Sequence, residues 1–308
     1  MPYFVRMDPN QLLTAWSEAR ADGLNNRAVA AKLGIAEAEL VASACGRFVT
    51  RLTPDALALL RTLPSLGEVK AVVRNPTVVI ERAGTVRGSE ITAVGVALVQ
   101  ADHFDLICQL ELWNKAYALR EQTERSFKQS IQFFTAAGTS AAKFFLRPSS
   151  KLDAFADLVS ALASPDQSAK EIIEREVAES DVALQPLAPA ASGALTAFLH
   201  TAAQLRQPLT FVARNRAASL STSKTVERVK HSDRGGWVNV LHDEMDIHLH
   251  DDRIRYLRCV PDPGADSGWW HWYCDEQAIA LSVRCGQGWK DLALAARATG
   301  SSSAVKQA

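Results

Sequence analysis

The chain has 308 residues, 47% of them hydrophobic and 22% charged, with Lys+Arg and Asp+Glu each numbering 34. This is globular composition for one or two domains, and zero net charge excludes a general attraction to nucleic-acid phosphates or anionic membranes. Five widely spaced cysteines without a CxxC pair argue against a zinc ribbon or disulfide framework and for reduced thiols. "MPYFVRMDPNQLL" lacks a signal-peptide pattern, and no run approaches the ~18 apolar residues of a membrane helix. A cytoplasmic protein without membrane insertion is expected.

The first segment reads as helical. "DPNQLLTAWSEARADG" opens on an Asp-Pro cap and ends at Gly23. "NNRAVAAKLGIAEAELVASACG" is broken at Gly34 and stopped at Gly46, and "TPDALALLRTLPSLG" carries Pro54 in its first turn. Beyond Gly67, "EVKAVVRN", "TVVIERAG", "ITAVGVALVQ" and "FDLICQLELW" have strand length and β-branched texture. "SIQFFTAAGTSAAKFFLRP" predicts a hairpin turning at Gly138. A polar helical stretch is expected from Ser149 to about Glu179, and "LQPLAPAASG" reads as a linker.

The second half repeats the order. "GALTAFLHTAAQLRQ" is helical like "PDALALLRTL", and "PLTFVARN" matches "EVKAVVRN". Arg74 and Arg214, Asp105 and Asp246, and Phe133 and Trp272 are each separated by about 140 positions. Constant spacing in constant order predicts a duplicated α+β unit, each copy an antiparallel β-sheet flanked by helices. The expected division is 1–155 for the first repeat with its N-terminal helices, 156–190 for a helical linker, 191–298 for the second repeat and 299–308 for a flexible tail.

Four stretches carry a resemblance: "AAKLGIAEAELVASACG", "VVRNPTVVIERAG", "SIQFFTAAGTSAAKFFL" and "WVNVLHDEMDIHLHDDRI". In this order they resemble the HemS/ChuS family of haem-utilisation proteins, the hemin-degrading factors. The resemblance implies two tandem repeats and haem as cofactor or cargo, for trafficking, iron acquisition or haem oxygenase-like breakdown. It also implies a histidine seven residues past the second Arg-Asn, where this chain has Thr222, and in many members one five past the first, where it has Ile80. The family's arginine in an Asp-Leu-Arg-Leu strand falls on Ile107, and a lysine resembling a propionate contact falls near Asp262. A histidine nitrogen donates a lone pair to iron, whereas a threonine hydroxyl is a poor haem ligand and isoleucine is none. The alternative is therefore a non-catalytic binding protein on the same fold that no longer takes haem.

Several residues remain as candidates for chemistry. In "LHDEMDIHLHDD", a strand would place Asp246, His248, His250 and Asp252 on one face. His248 or His250 is then the candidate iron ligand, or with the carboxylates a ligand of a non-haem metal, against the plain reading of a solvated strand face. In "GWWHWYC", Trp270 and Trp272 share one face while Trp269, His271 and Tyr273 share the other, to fill a core or to stack on a flat ligand. Arg214, Arg216, Lys224, Arg228 and Lys230 are candidates for propionate pairing or scattered surface charge. The haem-binding set is thus His248, His250, Arg214, Lys224, His271 and Thr222. His103, His200 and His231 lack informative spacing and read as structural or exposed. "NNRAVAAKLGIAEAELVASA" also has helix-turn-helix spacing, but its second helix is acidic and carries no side chain suited to base edges. No G-x-S-x-G elbow, H-E-x-x-H or P-loop occurs. The expected partners are haem or a related tetrapyrrole and a second copy in a homodimer, with neither nucleic acid nor membrane.

Overall fold

The computed structural model describes residues 7–91, 95–122, 127–174, 187–232, 235–275 and 278–298. The expected tail at 299–308 and much of the expected linker lie outside these residues. No helix among them is long and apolar enough to cross a membrane. The chain divides into two compact units, Met1–Lys70 with Val86–Val99 and Cys108–Val177, and Ala71–Thr85 with Gln100–Ile107 and Ala178–Ala308.

The elements follow the expected order. Three helices, α1 (Pro9–Ala21), α2 (Asn26–Leu33) and α3 (Glu37–Ala42), precede β1 (Val49–Leu52) and α4 (Ala56–Thr62). Then come β2 (Glu68–Arg74), β3 (Val78–Ile91), β4 (Val96–Ala101), β5 (Asp105–Gln109), β6 (Lys115–Gln122), β7 (Phe127–Phe134), β8 (Ser140–Leu146) and α5 (Leu152–Leu162). The second half has β9 (Ala188–Pro189), α6 (Ala194–Leu205), β10 (Pro208–Arg214), β11 (Ala218–Thr225), β12 (Arg228–His231), β13 (Trp237–His242) and β14 (Met245–His250). It closes with β15 (Tyr256–Pro261), β16 (Gly268–Tyr273), β17 (Ile279–Cys285) and α7 (Trp289–Ala298). Helix, strands and helix from α4 to α5 are thus rewritten from α6 to α7, and the fold is a duplicated α+β architecture. Small irregularities are copied too. A short 3-10 turn follows both β5 and β14, at Leu110–Leu112 and Asp251–Arg253. Register slips between Phe133 and Phe134 on β7 and between Trp272 and Tyr273 on β16.

In the first unit β1, β6, β7 and β8 pair antiparallel in that order. Asp8 caps α1 by accepting from the Asn10 and Gln11 N–H groups at 2.8 and 3.1 Å, and Gln11 returns the bond to the Asp8 N–H. Pro54 lies just before α4 rather than in its first turn, and Asp55 caps the helix, accepting from the Ala58 N–H at 2.9 Å. Trp16, Val29, Leu40 and Val41 from the helices bury against Tyr117, Leu119 and Phe134 of the sheet. α3 is buried along almost its whole length, and Glu37 at its start pairs with Lys143 of β8. A recognition helix needs a free face, so the helix-turn-helix spacing here serves packing. The β7–β8 turn places Gly138 at φ +73°, where a Cβ would lie 2.7 Å from Ala36 Cβ and 2.8 Å from Ile173 Cδ1. Only glycine lets the turn approach α3 this closely.

The polar stretch expected to be helical to Glu179 ends as a helix at Leu162. Pro165 lacks the N–H that a continuing helix requires, and residues 163–174 have no regular secondary structure beyond a single bridge at Ala163. A buried charge cluster fixes this segment instead. Arg51 and Tyr117 both donate to the Glu171 carboxylate, and Lys115 Nζ lies 3.2 Å from its other oxygen. Arg51 also donates to the Ser168 and Lys170 carbonyls, each at 2.9 Å. Burial alone would raise the Glu171 carboxyl, but the Tyr117 hydroxyl and Arg51 guanidinium hold it below its ordinary value. Burial and Glu171 push the Tyr117 hydroxyl well up.

In the second unit β9, β15, β16, β17, β10 and β11 form one antiparallel sheet. A second set runs β12, β13, β14 and the Val78–Arg82 part of β3. Trp270 and Trp272 are fully buried, with Phe198 of α6 at 5.0 and 5.7 Å and Trp289 of α7 stacked on Trp270 at 4.0 Å. Core filling is their role.

The duplicated Arg-Asn phrase has a structural cause within this unit. Asn75 Oδ1 accepts from the Thr77 and Val78 N–H groups at 2.9 and 2.8 Å, while its Nδ2 donates to the Arg214 and Ala280 carbonyls at 3.0 and 2.8 Å. Asn215 Oδ1 accepts from Ala217 and Ala218, both at 2.9 Å, and its Nδ2 donates to the Arg74 carbonyl at 3.1 Å. Each asparagine shapes its own turn and ties down the other copy's arginine backbone.

Two outcomes follow from these networks. Asn215→Ala removes three hydrogen bonds and should lower the unfolding free energy by about 2 kcal/mol, read from the urea midpoint. Glu171→Gln leaves Arg51 and Lys115 partly buried without their counter-charge and should cost about 3 kcal/mol at neutral pH. Because the folded Glu171 value is depressed, its contribution is complete above the ordinary carboxylate value of 4.5 and fades as pH falls below it. The variant's urea midpoint should therefore vary less with pH in that acid range.

Candidate functional site

The positions past each Arg-Asn are filled with packing groups. Ile80 on β3 is fully buried opposite Ile247 of β14. Thr222 on β11 is 2% exposed, and its hydroxyl donates to the His103 carbonyl at 2.9 Å. One has no lone pair and the other has its hydroxyl committed. Ile107 is 45% exposed on β5. Asp262 accepts from Ser267 Oγ at 2.6 Å and Arg284 Nη2 at 3.1 Å, and these partners, Ser267 foremost, hold it below its ordinary value.

β14 does alternate. Met245, Ile247 and Leu249 are buried, while Asp246, His248 and His250 share the half-exposed face. His248 Nδ1 lies 2.7 Å from Asn239 Oδ1 on β13, which commits that nitrogen to the sheet. His250 packs against Trp237 with ring centres 5.0 Å apart, and its Nδ1 is buried with no hydrogen-bond partner among the described residues. Asp252 does not continue this face, because β14 stops at His250 and the chain turns through Asp251–Arg253.

Arg214 and His271 come together through Ser282. His271 Nδ1 is 2.9 Å from Ser282 Oγ, and Arg214 Nη2 reaches the same oxygen at 3.4 Å. Trp269 lies parallel to His271 at 5.9 Å. Burial, with Arg214 and Arg258 nearby, pushes the His271 imidazole below its ordinary value, so it is held neutral. Lys224 stands opposite Leu209 on β10.

A cavity of about 450 Å³ in the second unit gathers residues that the sequence leaves far apart. Thr196 and His200 of α6, His231 at the end of β12, Gly236, Asp251 and Asp252 line it. Both histidines are exposed; their ring centres are 6.2 Å apart and their planes 27° from parallel. Thr196 donates to the Asp251 carboxylate, and the Asp251 N–H donates to the Gly236 carbonyl at 3.1 Å. Gly236 has φ +68°, and a Cβ there would meet Asp252 Oδ2 at 2.1 Å and His250 Cε1 at 3.2 Å. The orphaned imidazole of His250 therefore sits beside the rim. Among the described residues no group of three or more His, Cys, Asp or Glu is arranged to hold a bare metal ion.

Residues 34–162 match the family model described as the haemin-degrading HemS.ChuX domain. The structure of holo-PhuS, a heme-binding protein from Pseudomonas aeruginosa, superposes with a TM-score of 0.83 at 27% identity, covering 94% of this chain and 99% of that one. Residues 34–162 thus carry a HemS/ChuS-type domain, and the fold of the chain is of the same type. The heme degrading enzyme ChuS of Escherichia coli O157:H7 shares the fold, with a TM-score of 0.81 at 20% identity over 92% of this chain and 98% of that one. The hemin transport protein HmuS of Yersinia pestis is 25% identical over 280 residues, 77% of this chain and 80% of that protein.

In this HemS/ChuS-type chain the sequence passes over His200 and His231, which stand 31 positions apart on a helix and a strand. Only the pairing of β12 with β13, and the packing of α6 beside them, brings them to one cavity. "GGW" at Gly235–Trp237 was the available signal, a turn beside a strand carrying an aromatic. Gly236→Ala should lower stability by about 1 kcal/mol through its positive φ and drive the Asp252 carboxylate aside, measurable as a lower urea midpoint.

Proposed function

We propose that this chain binds haem and acts in haem utilisation, with the cavity of the second unit as the site and a histidine at its wall as the iron donor. The observation that carries this reading is the cavity itself, with two accessible imidazoles on its wall. Imidazole is a common protein ligand of haem iron, and the cavity volume falls within the ~300–1,000 Å³ typical of small-molecule pockets. Relatives described as heme-binding, as transporting hemin and as degrading heme support the same ligand class. Haem, when bound, supplies the iron and its ligand-exchange chemistry. His200 and His231 offer imidazole nitrogens as donors. Asp251 and Asp252 repel carboxylates, so propionates are directed away from that wall and toward solvent. The free thiols of all five cysteines fit action in the cytoplasm.

Titrating hemin into the full chain should give a saturable change in the Soret band at micromolar concentration, and no change would overturn the reading. That result would favour the second reading, a non-catalytic binding protein without haem, which Ile80 and Thr222 motivate. His200→Ala should weaken binding by roughly tenfold or more, the order expected for loss of one ligand interaction worth about 1.4 kcal/mol. His248→Ala should leave binding unchanged, because His248 does not line the cavity.

A further inference from the structure

Independently of the haem reading, we infer that the open face of the second unit's sheet binds an organic oxyanion, its carboxylate or phosphate held between Arg214 and Arg258 and its body against Trp269. The duplication makes this face conspicuous. On β6, β7 and β8, Tyr117, Gln132 and Lys143 stand in one cross-strand row, and Arg51 of β1 extends it. The same register on β15, β16 and β17 sets Arg258, His271 and Ser282 in the matching row. In the first unit the row is buried and its cations meet carboxylates, Lys143 pairing with Glu37 of α3 and Arg51 with Glu171. β9 holds the place of β1 beside β15, but among the described residues no helix stands between α5 and β9. Arg258, His271 and Trp269 are accordingly half-exposed, and Arg214 is exposed.

Uncompensated positive charge gathers in that row. Among the described residues neither Arg214 nor Arg258 has a carboxylate within ion-pair distance, whereas Arg284 farther along the face is met by Asp262 at 3.1 Å. Burial, and then the nearness of both guanidiniums, depresses the His271 imidazole. Like charges drawn together beside a neutral imidazole are unfavourable until an anion offsets them. Ser282 fixes which ring nitrogen carries the proton. Its hydroxyl is fully buried, so its proton needs an acceptor. Arg214 Nη2, at 3.4 Å, can only donate, and His271 Nδ1, at 2.9 Å, is the partner able to accept. The imidazole proton therefore sits on Nε2, which has no hydrogen-bond partner among the described residues. Two guanidiniums and this N–H are donors without an acceptor, the chemistry that recognises carboxylate or phosphate oxygens. Trp269, parallel to His271 with ring centres 5.9 Å apart, and Val260 opposite it on β15 add apolar surface beside the donors. That surface favours an organic acid over a bare inorganic ion. None of these residues lines the cavity beside α6, so this site and the haem site stand or fall separately.

The test follows the His271 imidazole of the full chain by NMR of isotopically labelled histidine, with His271→Gln identifying its signal. Benzoate, phenyl phosphate, acetate and inorganic phosphate are the probes. Benzoate or phenyl phosphate should shift the signal saturably at millimolar concentration or below. Either should also raise the imidazole's titration midpoint, because a bound anion offsets the two arginines. The tighter of the two assigns the head group as carboxylate or phosphate. Acetate and inorganic phosphate should bind about tenfold more weakly for want of an apolar body. Arg214→Gln and Arg258→Gln should each weaken binding by about tenfold or more, with circular dichroism confirming that both variants remain folded. No saturable shift with any of these anions, or an undiminished shift in both arginine variants, overturns the site. Equal affinity for acetate and benzoate overturns the organic body. Hemin titration reads the haem site on its own, so its failure would leave this result standing.

Discussion

Two asparagine side chains set the terms on which the second unit exists. Asn75 and Asn215 each present an amide with two roles, accepting from the N–H groups of the turn ahead and donating to the arginine carbonyl of the other copy. A backbone carbonyl left without a donor forgoes a hydrogen bond worth about 1 kcal/mol. The reciprocal arrangement answers that demand at two turns at once. No other neutral side chain of this length offers an acceptor pair and a donor from one planar group, which is why the phrase survives in both halves while residues beside it have changed.

That conservation of frame with change of content explains what could be read from the sequence. Helix ends were legible where a cap specified them, as at Asp8 and Gly34. Strands were legible where alternation was strong, as along Met245–His250, and the duplication from landmarks at constant spacing. The break after Leu162 was missed because polar, helix-tolerant residues conceal it, and what holds 163–174 is a distant clamp of Arg51, Tyr117 and Lys115. The end of β14 at His250 was likewise invisible, since "HLHDD" alternates well enough to continue. A 3-10 turn takes over there, as one does after β5, and it redirects Asp251 and Asp252 to the cavity wall.

The candidate site was less legible than the fold for a related reason. Periodicity identifies the face on which a residue lies but says nothing about which elements meet. His248 and His250 stand out because they are neighbours in sequence, yet neither lines the cavity, and Asn239 holds only the Nδ1 of His248. His200 and His231 looked uninformative because no spacing links them. Arg214 and His271, both in the candidate set, are brought together through Ser282, which offered no signal of its own.

A binding position on a strand is costly to relocate, because one residue's shift along a strand turns the side chain to the opposite face. Ile80 and Thr222 both belong to the packing of their sheets. A helix face and a strand end tolerate new polar residues more readily, since their outward positions are already solvated. His200 and His231 occupy such positions. The duplicated frame can thus stay fixed by its asparagines while polar side chains change at its margins. The frame resists change at its strands and admits it at its margins.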